Sequence, residues 1–352
     1  MSVQMRAAVF HGINDIRVEA IPEPEPGAGE ALLKVLSAGI CGTDLRIFER
    51  GHFRIPLGTR RVLGHEVVGE VIEVGEGVDL PLGTRVTVVP NIGCGFCKQC
   101  DSGWTNLCPD YEAFGVTLDG GFAEYMLITA PAIRQGNVIT LPSHIPDDTA
   151  ILAEPLSCCI NGQEAVAVAK GDVVLVMGAG PIGLMHILLA KVNGARKLIV
   201  SDPNEWRLHQ AELCGADVFV NPEQQNLQEV IYEVTAGEGV DVVIVANASP
   251  RAQSQALELT RPRGRINFFG GLPKDEAKVG LNTNLIHYRQ LLLTGTTGSN
   301  VCQFHSATHL ICSGGIELVN LVSNCFPLEM IHQGLECSQS GRALRVVIKS
   351  GM

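Results

Sequence analysis

Cys94, Cys97, Cys100 and Cys108 stand as C-x2-C-x2-C-x7-C within NIGCGFCKQCDSGWTNLC. Thiolates spaced two apart can turn back onto one tetrahedral ion, and four of them close its coordination shell, leaving no position for a substrate. The spacing therefore predicts a structural zinc. A second set of candidate ligands has a different character: Cys41 in CGTD, His65 and Glu66 in GHE, and Glu154 in LAEPLSCC. A thiolate, an imidazole and a carboxylate make an open zinc site with room for water or a substrate oxygen. Zinc in such a site stabilises the alkoxide that an alcohol needs before it gives hydride to NAD⁺. Taken singly, each residue has a plainer reading: a lone Cys as a small buried hydrophobe, a lone His as core or surface, the glutamates as exposed carboxylates. Taken with the cysteine cluster and the nucleotide fingerprint, ligation is the better reading.

That fingerprint is Gly178-Ala-Gly180-Pro181-Ile182-Gly183, which follows VVLVM and precedes LMHILLAKV. A lone GxGxxG says little, but here the strand before it and the helix after it are both present. The first Gly permits the tight turn, the second lets backbone meet pyrophosphate, and the third lets helix pack on strand. Unpaired N–H groups at the helix N-terminus then face the phosphates. Asp202 ends the next strand, KLIVSD, where its carboxylate can accept ribose hydroxyls and repel the extra phosphate of NADP. Pro203 puts no basic residue beside it; Arg207, five residues on, either covers the adenine or faces solvent.

Elements of two textures must position these residues. Up to about Glu154 the chain reads as β-rich, with ALLKVLSAGI, HEVVGEVIEVG and TRVTVVP bounded by Gly and Pro. Then VVLVMGAG, KLIVSD, DVFVN, VDVVIVAN and GRINFFGG recur with helix-like stretches between most of them, the pattern of a parallel sheet covered by helices, and QLLLTGTTG supplies a further strand. The tail beyond about Ser299, with FPLE and ALRVVIK, is expected back on the first domain, because the parallel sheet is already complete near Gly298. The fold class expected is α/β: residues 1–155 and 299–352 form a β-rich catalytic domain with a zinc lobe at 91–110, and residues 156–298 a doubly wound parallel-sheet domain.

Composition excludes several classes. The 352 residues carry a formal charge of −11, which disfavours nucleic acid and anionic membrane surfaces. The apolar, uncharged run Val173 to Ala190 contains Gly178, Gly180, Pro181 and Gly183 and reads as strand, turn and helix rather than a membrane span. The first residues lack the apolar core of a signal peptide. With twelve cysteines, this predicts reduced thiols in the cytoplasm.

CGTD, GHEVVGEV, the four-cysteine lobe, DGGFAEY, AEPL, GAGPIG and FPLE, in this order and spacing, resemble the zinc-containing medium-chain dehydrogenase/reductase family over essentially the whole chain. Within the family the sequence is similar to the sorbitol (polyol) dehydrogenase branch, since Glu154 stands where typical alcohol dehydrogenases have cysteine; the threonine and sugar-alcohol-phosphate dehydrogenase branches are also close. The resemblance implies a GroES-like catalytic domain and a Rossmann domain with the active site in the cleft between them. It implies two zincs per chain and zinc ligation by Cys41, His65 and Glu66, with Glu154 as fourth ligand or as hydrogen-bond partner of zinc-bound water. Thr43 matches the hydroxyl that passes the substrate proton outward, and Phe48 and Phe114 match pocket-lining positions. A homodimer or homotetramer is implied as well.

Two departures from the family pattern stand out. Arg46 replaces a histidine of the outer proton relay, and an arginine cannot accept a proton at neutral pH; the relay then runs from Thr43 through ribose hydroxyls to water, with His52 as a possible substitute. Gly298-Ser299 replaces the Arg-Tyr pair of animal sorbitol dehydrogenases. Arg46, Arg50, Arg54, Arg60 and Arg61 crowd one stretch, which a solvated loop explains better than attraction for a phosphorylated substrate. The expectation is NAD-dependent oxidation of a secondary alcohol in a small polyol or sugar. The alternatives are a threonine 3-dehydrogenase-like or sugar-alcohol-phosphate dehydrogenase, and a zinc-stabilised binding or structural protein without turnover.

Overall fold

Five strands of the N-terminal half, joined by two from the C-terminal segment, make one seven-stranded sheet. In the computed structural model, which describes residues 3–351, six of its strands run in the order Val138–Thr140, Arg85–Val88, Glu66–Val74, Ala31–Ile40, Arg345–Lys349, Val322–Pro327, and Tyr125–Ile128 also pairs with Ala31–Ile40. A three-stranded sheet, Asp15–Pro22, Gln4–Gly12 and Arg61–Val62, belongs to the same unit. By its contacts the chain separates into two units, Met1–Ser157 with Ser299–Met352, and Cys158–Gly298.

In the first unit the central strand is Ala31–Ile40, and its pairing sets the site. Ala31–Ile40 runs antiparallel to Glu66–Val74 with Gly39 opposite Glu66, and antiparallel to Arg345–Lys349 with Ile40 opposite Val346. Three chain segments far apart in sequence therefore end beside one another at Ile40. Leu33, Val35, Ala38, Val67, Val71, Val86, Val346 and Ile348 on these strands are buried in one core with Phe114 and Phe122. Burying each aliphatic side chain contributes roughly 1.5–3 kcal/mol against exposure, so the strand ends that carry the site stand on a rigid base.

The second unit is the doubly wound sheet that the sequence pattern predicts. Six strands pair in parallel in the order Val218–Val220, Lys197–Ser201, Val173–Met177, Val240–Val245, Thr260–Phe268, Leu292–Gly295. The first of these in sequence lies in the middle, so the order reverses beside Val173–Met177, which is where such sheets bind ligands at their carboxyl ends. Val173–Met177 and Val240–Val245 are buried at every position, as a strand covered by helices on both faces requires. Pro181 and Pro250 occupy the first turns of helices Pro181–Val192 and Pro250–Leu259, where a missing N–H costs nothing. Among the described residues no helix is long and apolar enough to cross a membrane.

Candidate functional site

Cys41 leaves the end of Ala31–Ile40 and caps helix Gly42–Arg50. Asp44, on the first turn of that helix, is fully buried and uses both its oxygens. Oδ2 accepts the Cys41 N–H at 2.8 Å, and Oδ1 accepts the Gly64 N–H at 3.2 Å and lies 3.5 Å from His65 Nδ1. One carboxylate thus fixes the two segments that supply Cys41 and His65. Glu66 opens its strand opposite Gly39, where a Cβ would overlap Glu66 Oε2; only glycine lets this carboxylate sit against the central strand. Ligand atoms of Cys41, His65 and Glu66 all lie within 4.8 Å of one another. Glu154, on the first turn of helix Ala153–Ala165, is buried and close enough for its charge to act on Glu66 and Arg345, but its carboxylate is outside that converging trio.

Arg345 completes the surroundings. It is 3% exposed, its Nη1 lies 3.0 Å from Glu66 Oε1, and it donates to the Ile40 carbonyl at 3.0 Å. Burial raises the Glu66 carboxyl well above its usual range, with Arg345 opposing and the Cys41 and Glu154 charges adding to the rise. Burial would likewise raise the Cys41 thiol, yet the His65 imidazolium and its hydrogen bond, with Arg345, bring it down to about 7. Burial disfavours charge on His65, but Asp44 and Cys41 together hold its pKa well above the ordinary value. Glu66 Oε2 is buried without a hydrogen-bond partner among the described residues, while Glu66 Oε1 and His65 Nδ1 have ion-pair contacts only, with Arg345 and Asp44. Orphaned buried polar atoms are costly and call for an unplaced water or ion. A thiolate, an imidazole and an orphaned carboxylate are donors that zinc accepts, so this set fits the metal.

The four-cysteine lobe is different. Its sulfurs stand 3.6 Å (Cys97 to Cys100), 3.8 Å (Cys97 to Cys108) and 3.9 Å (Cys94 to Cys100) apart. A tetrahedron with zinc–sulfur bonds of about 2.3 Å has edges of about 3.8 Å, whereas a disulfide would bring sulfurs to about 2.05 Å. Backbone N–H from Cys100 lowers the Cys97 thiol to about 7, while desolvation pushes Cys100 up to about 12. Four thiols this close cannot all ionise without a cation between them.

Thr43 lies two residues past Cys41, and its Oγ1 accepts a hydrogen bond from Arg46 Nη2 at 3.0 Å. The crowded arginines separate in three dimensions. Arg54 donates to the Tyr111 and Pro109 carbonyls and stacks over the Tyr111 ring, Arg60 lies 3.7 Å from Glu19, and Arg61 pairs with Asp119 at 2.9 Å. His52 Nδ1 accepts the Arg54 N–H at 3.2 Å, and desolvation with the Arg54 and Arg46 charges pushes its pKa down. With Nδ1 occupied as acceptor, the neutral ring carries its proton on Nε2, so it is not poised to take one there. Phe48 packs partly buried against the core, and Phe114 is 1% exposed within it, so the structure places Phe114 in the core rather than on an open wall.

In the second unit Gly178 and Ala179 follow Val173–Met177, Gly180 caps the helix, and Pro181, Ile182 and Gly183 form its first turn. A Cβ at Gly183 would overlap the Gly178 carbonyl oxygen, so helix and turn meet this closely only with glycine. Asp202 is 5% exposed; its oxygens accept the Ala179 N–H at 2.8 Å and the Asn204 N–H at 2.9 Å, and Arg207 Nη1 lies 4.0 Å away. The carboxylate is thereby fixed beside the glycine turn with lone pairs to spare.

Two residues around the metal-ligand trio escape a reading of the sequence alone. Asp44 carries a local signal, its three-residue offset from Cys41 at a helix start. Arg345 carries none, for a single arginine in a C-terminal strand looks like an ordinary surface charge.

Known proteins show the same assembly of parts. Residues 27–142 match the alcohol dehydrogenase GroES-like domain and residues 181–313 the zinc-binding dehydrogenase domain. The L-threonine 3-dehydrogenase of Pyrococcus furiosus is 36% identical over 329 residues, 92% of this chain and 92% of its own. This chain belongs to the zinc-containing medium-chain dehydrogenase/reductase family. Among solved structures, this medium-chain dehydrogenase is similar to a zinc-binding dehydrogenase of Sinorhizobium meliloti 1021 bound to NADP, with 31% identity, TM-score 0.91, and 99% and 100% of the two chains covered. It is also similar to L-idonate 5-dehydrogenase of Escherichia coli K-12, with 26% identity, TM-score 0.87, and 99% of each chain covered. Both cysteine-bearing clusters of this dehydrogenase fall inside the GroES-like match, and Asp202 falls inside the zinc-binding dehydrogenase match.

Proposed function

We propose that this medium-chain dehydrogenase oxidises the secondary hydroxyl of a small amino alcohol of the L-threonine type, using zinc at Cys41, His65 and Glu66 and NAD⁺ at the glycine turn. One secondary alcohol and NAD⁺ would give one ketone, NADH and a proton. The carrying observation is the convergence of three donors within 4.8 Å, with Glu66 Oε2 lacking a hydrogen-bond partner and no fourth ligand atom joining the set among the described residues. Zinc bound there would supply a Lewis acid that lowers the pKa of a substrate hydroxyl, and the nicotinamide would take the hydride.

The chain's own residues do the rest. Asp44 holds the His65 ring and the Cys41 loop in place, and Arg345 offsets the buried Glu66 charge. Thr43, its oxygen already accepting from Arg46, turns its own proton toward a substrate oxygen. Glu154 serves from outside the donor trio, through its charge or as hydrogen-bond partner of a water. The lobe of Cys94, Cys97, Cys100 and Cys108 holds a second, structural zinc. Asp202 selects NAD⁺ over NADP⁺, since a fixed buried carboxylate welcomes ribose hydroxyls and repels a phosphate, although the Sinorhizobium neighbour binds NADP.

The relatives favour the threonine-type reading over the sorbitol-like one: curated relatives from Pyrococcus, Thermococcus and Yersinia are L-threonine 3-dehydrogenases at 32–36% identity. The polyol reading keeps one observation of its own, the buried carboxylate of Glu154 beside Glu66. NAD⁺ reduction over L-threonine, sorbitol and their relatives separates the two. L-Threonine should give the highest kcat/KM, and NADP⁺ should substitute poorly. A preference for sorbitol would return the polyol reading, and equal use of both cofactors would remove the role given to Asp202.

A further inference from the structure

We propose that Arg46 binds the carboxylate of the substrate, so that the enzyme selects secondary alcohols bearing an acid group near the reacting hydroxyl, as in a 3-hydroxy acid. The proposal rests on the dehydrogenase reading and deepens it. Arg54, Arg60 and Arg61 of the local cluster are engaged elsewhere, by the Tyr111 and Pro109 carbonyls, Glu19 and Asp119. Arg46 is the member whose guanidinium rests on a site residue: Nη2 donates to Thr43 Oγ1 at 3.0 Å, the rest of the group is exposed, and no carboxylate among the described residues pairs with it.

The chemistry of the guanidinium makes this a site for an acid. It offers five N–H donors in a planar fork that matches a carboxylate bidentately, and one donor held on Thr43 fixes the plane while leaving the others free. A hydrogen bond between the substrate hydroxyl and Thr43, in series with the one Arg46 donates to Thr43, each about 2.7–3.0 Å, puts the guanidinium within about 6 Å of the hydroxyl oxygen. The carboxylate oxygens of a 3-hydroxy acid stand about 3–4 Å from that hydroxyl oxygen, and a further hydrogen bond of about 2.9 Å spans the rest. His52, whose ring lies near enough to feel the Arg46 charge, presents an Nε2–H and adds no competing negative group. The net charge of −11 repels anions at long range, so selection must come from a local contact of this kind. An arginine that only braced Thr43 would serve every alcohol equally; one that binds a carboxylate discriminates.

The test compares L-threonine with L-threoninamide, which replaces the carboxylate by a neutral amide of the same shape, on zinc-loaded enzyme with saturating NAD⁺. The wild type should favour L-threonine in kcat/KM by about 10- to 100-fold, mainly through KM. Arg46→Gln should collapse that ratio toward one, and Arg46→Lys should restore part of it. Calorimetric binding of L-threonine to the enzyme–NADH complex should weaken in Arg46→Gln by a similar factor. An Arg46→Gln variant that slows both compounds by the same factor, or keeps the wild-type ratio, overturns the proposal while the functional reading stands. A wild type that oxidises sorbitol and refuses L-threonine overturns the carboxylate contact and the threonine-type substrate together. A wild type that oxidises no alcohol at all removes the dehydrogenase reading itself.

Discussion

The two cysteine-bearing regions of the molecule use similar atoms to opposite ends. In the lobe, four thiols from fifteen consecutive residues face one another across edges of 3.6–3.9 Å and complete a shell by themselves. Around Cys41 a thiol, an imidazole and a carboxylate come from separate segments, converge within 4.8 Å, and leave the shell incomplete. The Cys41 and Cys97 thiols are both brought down to about 7, but for different reasons: against its burial, a facing imidazolium for Cys41, and a backbone N–H for Cys97. The lobe gathers its thiols in a segment whose short helices bury no residue; the other region uses burial, a glycine at position 39 and a buried ion pair to keep three donors in an open arrangement. A closed shell supports stability, and an open one supports chemistry.

Removing one ligand from each region is the strongest way to break that contrast. Cys100→Ala opens the closed shell and should forfeit stability on the order of 5 kcal/mol, since structural zinc is folding energy; thermal unfolding or loss of solubility reads this directly. Cys41→Ser should cut turnover by about 1,000-fold, ~4 kcal/mol in the barrier, while the unfolding midpoint moves by only a few degrees. Were Cys100→Ala fully stable and Cys41→Ser unfolded, the two assignments would be exchanged. Arg345→Met probes the cost of holding the open site. Losing one partner of a buried ion pair costs about 3 kcal/mol, the low end of the usual range, because Glu66 with its raised pKa can take up a proton. Chemical denaturation measures it, and a midpoint unchanged from wild type would show that the pair carries no stability.

The smallest effect is a slope. Zinc displaces every proton its ligands hold, so affinity falls as pH falls. Above pH 7 the lobe must still release a proton from Cys100, at about 12, and another from the raised Cys108, while at the open site Cys41, at about 7, is losing its proton and the raised His65 and Glu66 must give up those they hold. The logarithm of zinc affinity should therefore rise with pH at both sites between about pH 7 and 8.5. Below pH 7 both slopes should steepen, as Cys97 and Cys41 take up protons too. Chelator competition on Cys41→Ser and on the lobe variant reads each slope separately, and a zinc affinity independent of pH at either site would contradict the account.

The same contrast explains what a sequence reveals. The lobe was legible because its ligands are local, so spacing alone specifies the geometry. The nucleotide turn was legible because strand, glycines and helix are contiguous, and Asp202 follows at the end of the next strand. Cys41, His65 and Glu66 could be named as a set, but what holds them could not. Arg345 reaches the site only because the last strand pairs with Ala31–Ile40, a contact across 305 residues that leaves no local pattern. The arginine cluster is a cluster only in sequence: Arg46, Arg54, Arg60 and Arg61 reach Thr43, Tyr111, Glu19 and Asp119 respectively. Phe114, read as a pocket residue, is 1% exposed among the core side chains, and its burial leaves no local pattern in the sequence. Local chemistry is written in spacing; assembled chemistry is written in strand register.

Graded chelation of the purified enzyme tests the division between the two regions most directly. Zinc content by plasma mass spectrometry, NAD⁺ reduction with L-threonine and far-ultraviolet circular dichroism are followed together as a chelator is raised. The enzyme should begin with two zinc ions per chain. The first to leave should take all turnover with it and leave the fold intact, and the second should leave only as the structure fails. A protein that starts with one zinc, or that keeps its activity until the fold is lost, would contradict the account.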